Sequence, residues 1–522
     1  VEVVEVGALR QPDALVVETR LGPVRGYPDG PVFSWKGIPY AMPPTGKLRF
    51  RSPVTPEPWS LVLDAGAFGA MAPQGQDTSV PLDPSLRIDE DCLTINVWGP
   101  RPDGTPRPVM VWVHGGAYCL GSSAQAVYDG RLLAERGDVV VVTFNYRLGA
   151  LGFLDLSSFS TADRTFESNL GLRDQIAALE WVRDNIAAFG GDPTEVTLFG
   201  ESSGAGSITT LMTVPKAAGL FHRAIAQSPP ATSVYGAERA ATVARRFLEI
   251  LELPVGRVAD LFDMPAGQLV EACDILVNEV PTRVPGTLAV APVVDRDLVP
   301  RYPVTAFQQG YSHRIPLIIG SNKDEASIFK FTGSSLMPVS SEAVQQMFAG
   351  LAEDNPELSA VRLAEIVAAY PDSTTSRGVL AISTDAAFRM PALWVADAHS
   401  RHSPTWMYRF DHATPMLKAA RIGAAHATEL PYVFGTFGTL NPDPTFWLGG
   451  RRSAIEVAGR VQRRWLAFAQ HAVPAALDGS KHWAPYTPET RLTLLIDHRD
   501  SLVADPDREM RVAWGDKAMG FS

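Results

Sequence analysis

Phe189-Gly190-Gly191-Asp192-Pro193-Thr194-Glu195-Val196-Thr197-Leu198-Phe199-Gly200-Glu201-Ser202-Ser203-Gly204-Ala205-Gly206 is the stretch whose reading decides the fold. Val196–Phe199 is a short apolar strand, and Gly200 to Gly204 fits the pattern Gly-x-Ser-x-Gly. The pattern has a mechanical basis: a serine held on a sharp strand-to-helix turn needs small flanking residues, because a Cβ there would collide with the neighbouring strand or helix. Ser202 then stands at the strand tip. Taken alone, the five residues equally fit an ordinary Gly/Ser-rich turn, so the weight falls on their surroundings.

Immediately upstream, Leu172, Ile176, Leu179, Val182 and Ile186 recur at three and four between Asn169 and Ala188, which marks an amphipathic helix ending near Gly190-Gly191. Before it, Val109–Val113 and Val139–Phe144 read as continuous β-branched strands covered on both faces, hence buried and parallel. Glu90–Trp98 reads as a further strand, Leu15–Gly26 as an opening hairpin, and the proline-rich Phe33–Pro53 as extended structural chain. Downstream, Ala224–Gln227, Leu317–Gly320, Thr405–Phe410 and Arg491–Asp497 resume the strand pattern. Ala237–Leu253 and Pro265–Val277 read as helices lying away from the strands, and Ile455–Gln470 as a late helix. Strand, loop, helix, strand, serine, helix is the order of a doubly wound sheet. Strands are spread from end to end, without internal repeats or linkers. The expectation is one α/β catalytic domain over residues 1–522, with a mostly parallel doubly wound central sheet and helical cap insertions at roughly 233–285 and 335–400.

The bulk composition agrees. The 522 residues, 46% hydrophobic and 20% charged, are those of a soluble chain able to bury a large core. Acidic residues outnumber basic ones, 57 to 46, and no Lys/Arg block tracks a phosphate backbone, which argues against nucleic acid. No apolar run approaches the roughly 20 residues of a membrane span. Three scattered cysteines, Cys92, Cys119 and Cys273, lack metal-ligand spacing and favour buried reduced thiols in a cytoplasm. The Val1–Val6 start has no basic or apolar leader regions, but it also lacks an initiator Met, which leaves secretion open.

A serine hydroxyl is a weak nucleophile, so it needs a base, a group to orient that base, and donors for the developing oxyanion. Ser202 is the candidate nucleophile. Among 10 histidines, His426 is singled out by its loop, where Gly423 and small alanines leave room for a substrate. At the end of the Leu317–Gly320 strand both Asp324 and Glu325 offer a carboxylate, and the residues alone do not separate them. His114-Gly115-Gly116-Ala117 follows a strand, where glycines let the backbone approach a ligand; with the Ser203 amide it makes a candidate oxyanion hole. The order serine, acid, histidine is that of the α/β-hydrolases. Glu201 reads either as a buried carboxylate beside the base or as a solvated turn residue.

Glu90–Pro100, Phe189–Gly204, Gly37–Pro44, Asn145–Phe153, Asn169–Pro193, Asn322–Phe329 and His426–Gly435 together resemble the type-B carboxylesterase family, which includes bacterial para-nitrobenzyl-type esterases, mammalian carboxylesterases and cholinesterases. The resemblance covers nearly the whole chain. It implies Ser202 as nucleophile, His426 as base, Glu325 as orienting acid, and the amides of Gly116, Ala117 and Ser203 as oxyanion donors. It further implies a buried structural ion pair of Arg147 with Asp174, and Phe329 at the acyl pocket. Tyr118 is expected, with Phe329, to line the substrate pocket. Three departures stand out. Ala72 occupies the place of the cysteine that usually pairs with Cys92, Leu82 replaces the tryptophan that stacks on choline, and Pro229-Pro230 follows Gln227-Ser228 where glycine is usual.

The expected activity is therefore hydrolysis of small to medium apolar esters through an acyl-enzyme, requiring no metal or cofactor, by a monomer or homodimer. Two alternatives accompany it: a non-enzymatic adhesion or binding protein of the same fold, and a hydrolase of carbamates, amides or thioesters.

Overall fold

The computed structural model describes residues 14–75, 82, 84–161, 164–356, 358–437, 443–476 and 482–521; the Val1–Val6 segment lies outside them. The described strands are β1 (Leu15–Glu18), β2 (Pro23–Asp29), β3 (Val32–Pro39), β4 (Leu63–Asp64), β5 (Thr94–Gly99), β6 (Arg107–Val113), β7 (Val140–Phe144), β8 (Gly191–Glu201), β9 (Arg223–Gln227), β10 (Leu317–Asn322), β11 (Thr405–Phe410), β12 (Leu492–Ile496) and β13 (Ser501–Ala504). They form one sheet in the order β1-β2-β3-β5-β7-β6-β8-β9-β10-β11-β12-β13, with β4 beside β2. From β7 to β12 every pairing is parallel, while both ends are antiparallel except for the short parallel β2–β4 pair.

The β-branched runs are continuous because helices cover both faces. Along β6 the pleat sends Val109, Val111 and Val113 into one apolar core and Met110 and Trp112 into the other. The first core is closed by the helix Leu170–Asn185 through Leu172, Ile176, Leu179 and Val182. The second is closed by the helix Arg451–His471 through Val457, Val461, Trp465 and Phe468. Trp112 sits among Tyr128, Phe199 and Phe434 at ring-centroid distances of 5.0, 4.9 and 5.0 Å. Wedged that tightly, it ties the Ser202 strand to the opposite helical layer.

Several elements differ from expectation. Part of Phe33–Pro53 is a true strand, β3, with an irregularity between Trp35 and Ile38. Glu90–Leu93 lies outside the strand that follows it, and Glu90 instead pairs with Arg49. The helix expected to end at Val277 runs from Ala266 to Arg283, and Arg491–Asp497 gains a hairpin partner in β13. Helices Ala237–Ile250 and Ala266–Arg283 stand between β9 and β10; Ser341–Asp354, Ala360–Ala368 and Ser376–His399 stand between β10 and β11. By length and composition Ser376–His399 is long and apolar enough to cross a membrane, against the sequence reading, but 72% of its most apolar window is buried inside the protein. It is an interior helix.

Candidate active site

Ser202 links β8 to the helix Ser203–Leu211 with φ 55° and ψ −128°, outside every region that L-residues favour. Its amide donates to the carbonyl of Gln227 at 2.9 Å, which ties the turn to β9. The two glycines of the pattern are sterically required. A Cβ at Gly200 would lie 2.6 Å from the Val113 carbonyl oxygen, and one at Gly204 would lie 2.2 Å from the same atom.

That shared neighbour, Val113, ends β6 and starts the candidate oxyanion loop. Gly116, Ala117 and Tyr118 take successive positive φ values of 117°, 51° and 63°. Such backbone persists only where its surroundings over-determine it. His114 anchors the loop: it is buried, its ring stacks on Tyr146 at 4.3 Å, and the Tyr146 hydroxyl donates to its carbonyl at 2.6 Å. Burial lowers the His114 imidazole to about 4 and keeps it neutral. Among the described residues the amides of Gly116, Ala117 and Ser203 donate to no protein acceptor. Gly116 and Ala117 are partly exposed, whereas Tyr118 has no exposed surface and packs on Phe153 at 4.8 Å. Tyr118 is thus a core residue that holds the loop from behind, and the pocket position expected for it is corrected accordingly.

Glu325 follows β10 and is fully buried. One carboxylate oxygen accepts from the Ser228 hydroxyl and the Asn322 amide, both at 2.6 Å, and the other lies 2.7 Å from His426 Nδ1. Asp324 points elsewhere, taking the Ala424 amide at 3.1 Å. The geometry therefore separates the two carboxylates that the sequence left equivalent. His426 Nε2 lies 3.1 Å from Glu201 Oε1. The Ser202 hydroxyl makes no hydrogen bond within the described residues; such contacts often tighten only with substrate bound. Phe388 lies on the imidazole at 4.5 Å and the half-buried Phe329 at 5.4 Å.

Three buried carboxyl groups, Glu201, Glu325 and Glu429, surround this one imidazole. Burial works to lower the His426 pKa, but the negative charges of Glu201, Glu325 and Glu429 prevail and raise it to about 9. Burial raises Glu201 to about 8 against the pull of the imidazolium, and Glu429 is also raised, first by burial and then by Glu325. Glu429 is held by Gln227 at 3.1 Å and Asn322 at 2.5 Å. A surround of this sign stabilises a proton arriving on the imidazole.

Arg147 and Asp174 meet in full burial, with guanidinium contacts of 2.8 and 2.6 Å and an amide contact of 3.0 Å. Sequence reasoning passed over Ser228, Glu429 and Phe388 as members of this site. Ser228 had a usable signal, since it directly follows β9, the strand next to the one that leads into Ser202, and so falls beside Glu325. Phe388 had none, because its placement depends on a local change of helix type.

The sequence pattern of the carboxylesterase family matches residues 13–514. The chain belongs to this family. A para-nitrobenzyl esterase of Bacillus subtilis (strain 168) is 40% identical over 95% of this chain and 97% of its own length. An acylcarnitine hydrolase of Mus musculus is 35% identical over 87% of this chain and 81% of its own. A fumonisin B1 esterase of Sphingopyxis macrogoltabida is 34% identical over 92% and 86%. A solved PNB esterase superposes with a TM-score of 0.84 at 37% identity, covering 96% of this chain and 99% of that one. A Geobacillus stearothermophilus carboxylesterase gives 0.82 at 35%, covering 96% and 100%. This carboxylesterase-family chain therefore has the α/β-hydrolase fold and is a carboxylic ester hydrolase, with small-molecule esters as its class of substrate.

Proposed function

We propose that this chain hydrolyses small to medium apolar carboxylic esters through an acyl-enzyme on Ser202. His426 is the base, Glu325 its orienting acid, and the amides of Gly116, Ala117 and Ser203 are the oxyanion donors. The observation that carries the reading is the strained elbow at Ser202, set beside unengaged amides and a histidine bonded to a buried carboxylate. The Ser202 oxygen attacks the ester carbonyl while His426 takes its proton; the three amides meet the oxyanion; His426 then protonates the leaving alcohol. Water repeats the sequence on the acyl-enzyme, and every role falls on a group of the chain itself. An apolar acyl side is supported by Phe329 and Met337, which share one apolar cluster next to His426.

The chain acts as one catalytic domain, supported by a single sheet drawing strands from Leu15 to Ala504, with the helices of 233–285 and 335–400 as a cap. A cytoplasmic setting is supported by the buried free thiols of Cys92 and Cys273. Turnover of p-nitrophenyl butyrate by Ser202→Ala tests the assignment. A fall of roughly 10⁶-fold in kcat with an unchanged circular dichroism spectrum is expected, and undiminished turnover would refute it.

A further inference from the structure

The helix Ser376–His399 is α-helical to Thr384, makes one π-helical turn over Asp385–Arg389 and returns to α-helix at Met390. Such turns are rare and recur at functional sites. This one touches His426 itself and, with the residue before it, the backbone on either side of Glu325. Before the turn, the Thr384 hydroxyl oxygen accepts from the Ala326 amide at 3.1 Å; at its end, Arg389 donates to the Lys323 carbonyl at 2.9 Å. The segment carrying Glu325 is gripped on both sides. Between those grips, Phe388 lies on the imidazole face, with centroids 4.5 Å apart and planes 30° from parallel.

The turn is itself held from the far end of the chain. Asp385 is fully buried and accepts from Arg389 at 2.6 Å and from the Tyr370 hydroxyl at 2.5 Å. The same Tyr370 oxygen accepts from the Trp514 indole at 2.6 Å, and Trp514 ends the helix Arg508–Trp514. Asp507, just before that helix, lies 3.7 Å from Arg389 and 2.6 Å from Arg409.

We propose that Phe388 and Tyr370 are positioning residues for the ester hydrolysis. The π-helical turn fixes the imidazole and its carboxylate relative to each other, and the C-terminal helix fixes the turn through the Trp514–Tyr370–Asp385 hydrogen bonds. This rests on His426 being the base. The groups facing the imidazole are Glu201 and Glu325, with Glu429 behind; those facing Asp385 are Arg389 and Tyr370, with Asp507 and Arg409 beyond. A different role for Phe388, as a mere wall of the acyl pocket, would make its effect depend on acyl length.

The test measures kcat and KM against pH for p-nitrophenyl acetate, butyrate and octanoate with full-length Tyr370→Phe, Phe388→Leu and Phe388→Tyr. Small displacements of reacting groups cost up to about 100-fold, so Tyr370→Phe and Phe388→Leu are expected to lower kcat by about tenfold or more on all three esters. KM stays near its wild-type value, the acid limb of kcat/KM shifts, and Phe388→Tyr, which keeps the ring, restores turnover. Tyr370→Phe removes one hydroxyl and no ring, so with an unchanged melting temperature it decides alone should Phe388→Leu fail to fold. Unchanged kcat and pH profile in Tyr370→Phe overturn the proposal, as does a loss confined to KM or to one acyl length. His426→Ala separates the two readings: full turnover in that variant removes the base assignment, whereas an inactive His426→Ala beside a fully active Tyr370→Phe removes only the positioning role.

Discussion

At His426 the group opposite Nε2 is a carboxyl, that of Glu201, 3.1 Å away and almost wholly buried. As the proposed base, His426 must be neutral to accept the serine proton, and the surrounding carboxylates raise this imidazole to about 9 against the effect of burial. The acid limb of kcat/KM should therefore lie on the alkaline side of the ordinary histidine range. Glu201→Gln removes one of the charges that favour the imidazolium, so the imidazole pKa falls and the limb moves to lower pH. A pH–rate profile checks this, and a limb that stays in place in the variant would exclude Glu201 as its cause. The sequence could raise Glu201 as a buried carboxylate but could not choose it over a solvated turn residue, because burial depends on β9 and the His426 loop arriving from elsewhere. The same holds for Asp324 and Glu325. Adjacent residues point to opposite sides of one turn, and only the three-dimensional neighbours, the His426 ring for Glu325 and the Ala424 amide for Asp324, show which side faces the histidine.

The elbow between β8 and the helix Ser203–Leu211 is the element most fully legible in advance, because its requirement is steric and local. A methyl at Gly204 would sit 2.2 Å from the Val113 oxygen and 2.7 Å from the His114 oxygen, both backbone atoms that cannot yield without moving the candidate oxyanion loop. Gly204→Ala is expected to cost about 100-fold in turnover, the order seen when an oxyanion donor is misplaced, and to lower the melting temperature. Gly459→Ala is the control. Gly459 lies within the helix Arg451–His471 with nothing near its missing Cβ, so alanine there should leave turnover unchanged and stabilise by about 0.5–1 kcal/mol. Kinetics and thermal melts of the pair decide it, and equal behaviour would mean that the crowding at Gly204 is not what matters. Strands and helices with a clean period of two or 3.6 were legible in the same way. The π-helical turn was not, since its one extra residue leaves no periodic trace in a segment apolar on nearly all sides.

For the whole molecule, the sheet sets the logic. Ser202 and Glu325 follow the carboxyl ends of β8 and β10, His426 lies in the chain after β11, and the His114–Ala117 loop leaves β6 at the same edge, where open α/β sheets gather their chemistry. The order of chemical groups along the chain was readable, as was the parallel centre. Of the antiparallel margins, the β1–β2 hairpin was readable in the alternation of Leu15–Gly26, whereas β3 and β13 were not, because β3 is interrupted by an irregularity between Trp35 and Ile38 and β13 is short and owes its state to the strand it pairs with. Arg147 and Asp174 join the loop after β7 to the helix Leu170–Asn185 in full burial, an arrangement in which either partner alone would be a buried uncompensated charge.

The buried thiols give the protein a built-in report on its own opening. Cys92 lies just before β5 in the first apolar core and Cys273 within the helix Ala266–Arg283, both almost without exposed surface, and burial raises the Cys273 thiol to about 12 and Cys92 higher still. An alkylating reagent needs an exposed thiolate, so mass gain under native conditions tracks excursions that bare each site. Cys273 is expected to label before Cys92, because it sits in an inserted helix while Cys92 leads directly into β5 of the central sheet. Peptide-resolved mass spectrometry over time reads the order, and labelling at equal rates would show that the inserted helices and the sheet open as one unit.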